Sequence, residues 1–213
     1  MFSRNFLSIF KKILKWGAAI VAVFYVAVVL IRIPHFYNLR KTEEQVAKIH
    51  ATKLALDDVM GVNLPPDPGA LADATIEGVD ANQNGIRDDV ELAIFKEYPN
   101  SAKTRAVLLQ YALALQMEVV QSFVNKETVT EVVTEQSRAD TCLADILVPR
   151  KSPESSRNYS DIEKIDVYVN FVKNKQLNTD VRNRARKDFL KNLGSYSEST
   201  NDKCDIDSST LPN

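Results

Sequence analysis

The sequence predicts an all-α protein with an N-terminal transmembrane helix, a stalk helix and a small helical bundle carrying one Asx-rich loop. Three observations predict it. Apolar side chains recur at helical spacing in segment after segment, with no alternating strand pattern and no internal repeat. An uncharged, mostly apolar run of 16 residues extends from Trp16 to Ile31. Only 6 glycines occur among 213 residues, which counts against a Gly-rich nucleotide fold and a turn-rich β-sandwich. With 45% apolar and 26% charged residues, collagen, low-complexity disorder and a disulfide-dense miniprotein are excluded. The length fits one compact domain plus a tail.

The formal net charge of −1 averages two unlike pieces. Residues 1–42 hold seven basic residues and no acidic one, whereas residues 43–213 hold 20 basic and 28 acidic. The acidic body lacks the basic patch of a nucleic-acid binder. Residues 1–15 form a basic n-region and residues 16–33 a transmembrane signal anchor, with Arg32 snorkelling to the headgroups. Eighteen helical residues cover roughly 27 Å, near the ~30 Å hydrocarbon thickness. The competing reading is a cleaved signal peptide. Cleavage needs small residues at alternate positions, and the exit from Val28 to Tyr37 has none, so the uncleaved anchor is preferred. Arg4, Lys11, Lys12 and Lys15 precede the span, which predicts a single pass of the inner (cytoplasmic) membrane. The N-terminus is then cytoplasmic and the C-terminal domain periplasmic or extracellular. Phe2, Phe6, Ile9, Phe10 and Ile13 share a helical spacing, which fits either an interfacial helix or an ordinary hydrophobic n-region.

The remaining elements follow in order. Residues 34–60 are the stalk helix, in which Thr42-Glu43-Glu44-Gln45 has capping-box spacing and Val46, Ile49, Leu56 and Val59 share one side. Residues 61–79 are a loop region, because Pro65, Pro66 and Pro68 exclude a helix interior. Residues 80–194 are the helical domain. Its first helix runs from about Asp88 to Tyr98 and ends at Pro99. Asn100 or Ser101 caps the next, which carries Leu108, Tyr111, Leu115 and Val119 on one stripe. Lys126 to Leu147 is helical despite the β-branched residues between Thr128 and Thr134. Pro149 to Arg157 is a loop. Ser160 to Glu163 repeats the capping-box spacing ahead of a stripe of Ile162, Ile165, Val169 and Val172. Thr179 caps the last helix, with Val181, Ala185 and Phe189, and Gly194 stands at its C-terminal end. Residues 195–213 are polar and expected to form a flexible tail, except near Cys204.

Cys142 and Cys204 both fall in the exported part, where an even count implies one disulfide. It would close a loop of about 60 residues and contribute ~4 kcal/mol on the chain-entropy model. The other reading is two free thiols. A zinc-type site is poorly supported, since there is no CxxC and the only histidines are His35 and His50.

One motif carries chemistry. Residues 80–91 read Asp-Ala-Asn-Gln-Asn-Gly-Ile-Arg-Asp-Asp-Val-Glu, which fits D-x-[DN]-x-[DN]-G-x5-E throughout. Calcium takes six to eight oxygens at about 2.3–2.6 Å, so the chain must wrap the ion. Asp80, Asn82 and Asn84 alternate inward along that curve, and Gly85 permits the sharp turn. The backbone carbonyl of Ile86 follows, then Asp88 directly or through water, and Glu91 closes the site with both oxygens. The expected cofactor is therefore Ca2+. Without metal, the same residues would form an Asx-rich turn capping a helix.

The loop resembles an EF-hand calcium loop, and still more its extracellular relatives in dockerins and thrombospondin-type repeats. The resemblance covers 12 of 213 residues and implies Asp80, Asn82, Asn84, Ile86, Asp88 and Glu91 as metal ligands. Two departures stand out: Arg87 occupies the eighth position, where EF-hands usually carry an aliphatic residue, and no second loop exists. A lone calcium loop is the expectation. Two amides and three carboxylates imply a modest affinity, in the range of extracellular modules at roughly 10⁻⁴–10⁻³ M. More loosely, Leu64 to Glu91 resembles a segment of exported bacterial proteins, which implies no activity.

Enzymatic motifs are absent: no HExxH, GxSxG, P-loop or GxGxxG. With His35 near the membrane and His50 in the stalk, a Ser/His/Asp or Cys/His arrangement is implausible. The expectation is a non-enzymatic, membrane-anchored interaction or envelope-assembly module with a structural calcium loop and a protein partner. The alternative is a calcium-dependent hydrolase or other enzyme using carboxylates near the loop.

Overall fold

A computed structural model describes residues 4–152, 155–196, 199 and 202–212, with side chains from Ser8 onward. Phe2 and the side chains of Arg4 and Phe6 lie outside the described residues, as do Pro153 and Glu154 of the expected Pro149–Arg157 loop. Among the described residues the chain forms seven α-helices and two 3-10 turns, with no strand. It divides into two compact units, residues 1–44 and 45–213.

The first unit is built on α1 (Arg4–Ala51). Its apolar side chains are exposed among the described residues: Trp16 is 72% exposed and Phe24 70%. The helix is long and apolar enough to cross a membrane, a property that a signal sequence near the N-terminus shares. Pro34 does not end it and lies inside the helix, although its ring denies the preceding turn one backbone hydrogen bond. The expected capping box at Thr42 is not used either. The Thr42 hydroxyl donates to the Asn38 carbonyl, 2.9 Å away, as a mid-helix threonine can.

From Gln45 onward the chain belongs to the second unit. The expected stalk over residues 34–60 is therefore not a separate element. Helix α1 stops at Ala51, and Ile49, Leu54 and Val59 are buried, with Val59 on the short α2 (Leu56–Met60). Their apolar surface is covered by the body instead of standing free. After α3 (Asp88–Glu97), Arg105 ties the turn together by donating to the carbonyls of Val59, Tyr98 and Pro99.

Helix α4 (Ala102–Val120) is the centre of the body and packs against α2, α3, α5, α6 and α7. The expected single stripe understates it. Ala106, Val107, Leu109, Ala112 and Leu113 are buried beside Leu108, Tyr111 and Leu115, because the helix is apolar nearly all round. Ser101 caps it, accepting the Thr104 N–H. Helix α5 (Lys126–Leu147) opens on a reciprocal Asn125–Thr128 cap. Its other threonines fit the helix by donating to carbonyls four residues back, as Thr130, Thr134 and Thr141 do. Helix α6 (Tyr159–Gln176) is capped by Asn158 and Asp161, not by Ser160 and Glu163. Helix α7 (Asp180–Leu190) is capped by Thr179 and ends on Lys191. Gly194 is therefore not its cap: a Cβ there would meet Lys126 Cε at 2.2 Å.

The C-terminal segment requires a further correction. Residues 202–212 are not a loose tail but are docked on α4 and α5. Cys204 is disulfide-bonded to Cys142, and Leu211 is only 6% exposed. Gln110 holds Lys203 and Asp205 through both ends of its amide. Arg138 donates to the Asp202 and Lys203 carbonyls and to the Asp205 carboxylate.

Candidate metal centre

The Asx-rich loop leads into α3. Its two ends are drawn together by the Asp88 N–H, which donates to the Val79 carbonyl at 2.9 Å. Asp80 accepts the backbone N–H groups of Asn84 (3.1 Å) and Gly85 (2.9 Å), one on each carboxylate oxygen. Asn84 Oδ1 accepts the Ile86 N–H at 2.9 Å. The turn needs a left-handed backbone at Gln83 (φ 59°) and Gly85 (φ 84°). At Gly85 the conformation suits only a residue without a side chain, since a Cβ would also meet Leu113 Cδ1 at 2.7 Å.

Three of the expected ligands meet directly. The side-chain amides of Asn82 and Asn84 each donate to Glu91 Oε2 at 3.1 Å. Glu91 is 1% exposed. Burial pushes its carboxyl up to about 7, the two amide donors work against that rise, and the charges of Asp58 and Asp88 add to it. Two oxygens of this cluster, Asn82 Oδ1 and Glu91 Oε1, are buried and have no hydrogen-bond partner among the described residues. Buried polar atoms are normally satisfied, and Tyr111 Oη and Gln176 Oε1 are the other exceptions among the described residues.

The other expected ligands are placed differently. Asp80 shapes the loop through its backbone bonds. The Ile86 side chain is fully buried in the core, while the expected ligand atom there is its backbone carbonyl. Asp88 turns both oxygens to the Ala81 N–H (3.0 and 3.2 Å), and burial raises its pKa. It braces the loop instead of pointing into it. Among the described residues no three His, Cys, Asp or Glu side chains gather in a metal-ligating group. The convergence here is of two amides and one carboxylate, with Asp80 on the same turn. All of these donors are hard oxygens, which suit calcium or magnesium and not zinc. The amide groups now present NH2 to Glu91; a half-turn about the terminal bond of Asn82 exchanges donor for acceptor, whereas Asn84 Oδ1 is held by the Ile86 N–H.

Asp80, Asn82 and Asn84 also line a cleft of about 860 Å³, whose walls include Lys48, Asp58 and Glu77. Asp58 is engaged there at the start of α2, accepting the Ala55 N–H at 3.0 Å.

Sequence reasoning missed the two buried arginines around this loop. Arg87, in the aliphatic slot, is 0% exposed and donates to Asp89 and to the carbonyls of Lys175 and Gln176. Arg182 is buried among the carbonyls of Ala72, Thr75 and Ile76 and pairs with Asp73. The available signal was the anomalous Arg87 itself, together with Gly78 nearby. Compared with known protein families, curated proteins and solved structures, the chain matches none.

Proposed function

We propose that this is a single-pass membrane protein whose helical body is held by one structural calcium loop and serves as a non-enzymatic interaction or envelope-assembly module. The observation that carries the metal reading is the pair of buried, unpartnered oxygens, Asn82 Oδ1 and Glu91 Oε1, inside a loop of calcium-binding pattern. A cation there neutralises the buried Glu91 and gives both oxygens a partner. Asp80, Asn82, Asn84, Glu91 and the Ile86 carbonyl would hold it, while Asp88 keeps the loop closed through Ala81. The basic residues before the span support a cytoplasmic N-terminus and an exported body. The Cys142–Cys204 disulfide agrees with an oxidising compartment.

The test is thermal unfolding of the full chain in detergent micelles. Millimolar calcium should raise the melting temperature, and Asp80→Ala should abolish the rise. No shift in the wild-type protein would sink the reading. A partner should be recovered from membranes with calcium and lost with a chelator. The hydrolase alternative draws support from Asp58 and Glu77, which line the cleft beside the loop. It is the weaker reading, because Asp58 is committed to a helix cap and Glu77 is exposed.

A further inference from the structure

We infer that the corner between α6 and α7, residues 175–182, takes the place of the missing second calcium loop, and that occupancy of the 80–91 loop is transmitted to it through Arg87. The inference rests on the calcium reading above and adds to it where the ion's effect is felt.

In a helix the last carbonyls lack partners. At the end of α6, two of them are capped by Arg87: Nη2 donates to Lys175 at 2.9 Å and Nη1 to Gln176 at 3.0 Å. Asp89 fixes the same guanidinium through Nε (2.6 Å) and Nη2 (2.7 Å). One position of the metal loop is thus built into another helix's terminus. The opposite side of the corner is tied as tightly. Arg182 grips the strap at residues 72–76, and Asn178 bridges Arg182 (2.6 Å) and Asp73 (3.0 Å). That strap leads through Gly78 into the loop, and there the Arg87 stem crosses it. A Cβ on Gly78 would meet Arg87 Cδ at 2.3 Å, and Gly78 has φ 75°.

The loop therefore has little freedom that the corner does not share. The link to the ion is Asn84, whose Oδ1 holds the Ile86 N–H one residue before Arg87. Drawing that amide oxygen toward a cation acts on the backbone that carries the guanidinium. An aliphatic residue at this position would pair two calcium loops; an arginine reaches a helix end instead.

The experiment is amide hydrogen exchange on the full chain in detergent micelles, with millimolar calcium or with chelator, and calcium binding measured in parallel by calorimetry. Protection at residues 175–182 should rise on the order of tenfold with calcium, beyond any rise in α5. Arg87→Met should still bind calcium but lose the excess rise at the corner. Asn178→Ala removes a long contact from Arg87 Nη2 (3.5 Å) but leaves its bonds to Lys175 and Gln176 in place, and should reduce the rise at 178–182 more than at 175–176. Should Arg87→Met fail to fold, the wild-type comparison and Asn178→Ala decide the matter. Calcium bound with no excess protection at the corner overturns the coupling and leaves the metal site standing. No calcium bound overturns both.

Discussion

Two buried carboxylate clusters in the body solve the same problem in opposite ways. At the C-terminal dock, the Glu135 and Asp205 side chains are almost wholly buried, and the chain brings its own cations to them. Arg138 Nη2 lies 2.7 Å from Glu135 Oε2 and 2.6 Å from Asp205 Oδ1, and Lys53 Nζ lies 2.9 Å from Glu135. At the Asx-rich loop, Glu91 is equally buried, yet its partners are two neutral amides and one of its oxygens has none. Arg87 stands in the same loop, but its guanidinium turns to Asp89 and the end of α6. A buried charge must be paired or neutralised. One cluster is complete as the chain folds, and the other is left for a proton or an external cation.

The largest expected effect comes from breaking the complete cluster. Arg138→Met leaves two buried carboxylates with only the partly exposed Lys53 beside them and should cost about 3–5 kcal/mol in denaturant unfolding, with or without calcium. The next prediction sharpens the incomplete one. The folded Glu91 carboxyl is raised to about 7, well above its ordinary value, so its contribution favours folding below the unfolded value. That contribution disappears as pH rises through about 7. With chelator present, stability should fall by about 3 kcal/mol between pH 4.5 and 8 on this account. Calcium should restore it at pH 8, and Glu91→Gln should flatten the chelated profile. Gly78→Ala should cost about 1–3 kcal/mol through its left-handed backbone and the collision with the Arg87 stem. The smallest effect is expected at the rim of the complete cluster. Lys53→Met should cost about 1 kcal/mol or less, because Lys53 is partly exposed and Arg138 still serves both carboxylates. A large loss there would show that the cluster depends on its outer cation.

What could be read from the chain alone divides along the same line. Local signals were legible: the bounds of α5, the Thr179 cap, and the twelve-residue loop motif all depend on residues close in sequence. The disulfide was legible because only two cysteines exist. The destinations of long polar side chains were not. An isolated arginine reads as surface, and nothing near Arg87 or Arg182 announces the distant carbonyls that they cap. Asp88 fits a ligand position in the motif, but the Ala81 N–H captures it. The anchor and the stalk read as two elements meeting at residues 33 and 34, yet α1 runs unbroken through Pro34 to Ala51. Docking of residues 202–212 depends on Arg138 and Gln110, whose partners lie more than 60 residues away.

The bond between the Leu54 N–H and Asp205 Oδ2, at 3.1 Å, joins residues 151 positions apart. It brings the beginning of the body against one of its last segments, so the order of synthesis matters. At translation rates of ~5–20 residues per second, Leu54 waits on the order of ten seconds or more for its acceptor to be made. During that interval Lys53 also lacks Asp205, and Arg138 lacks one of its two carboxylates. The nascent body therefore cannot close this contact as it emerges and must hold the site open until Asp205 is made.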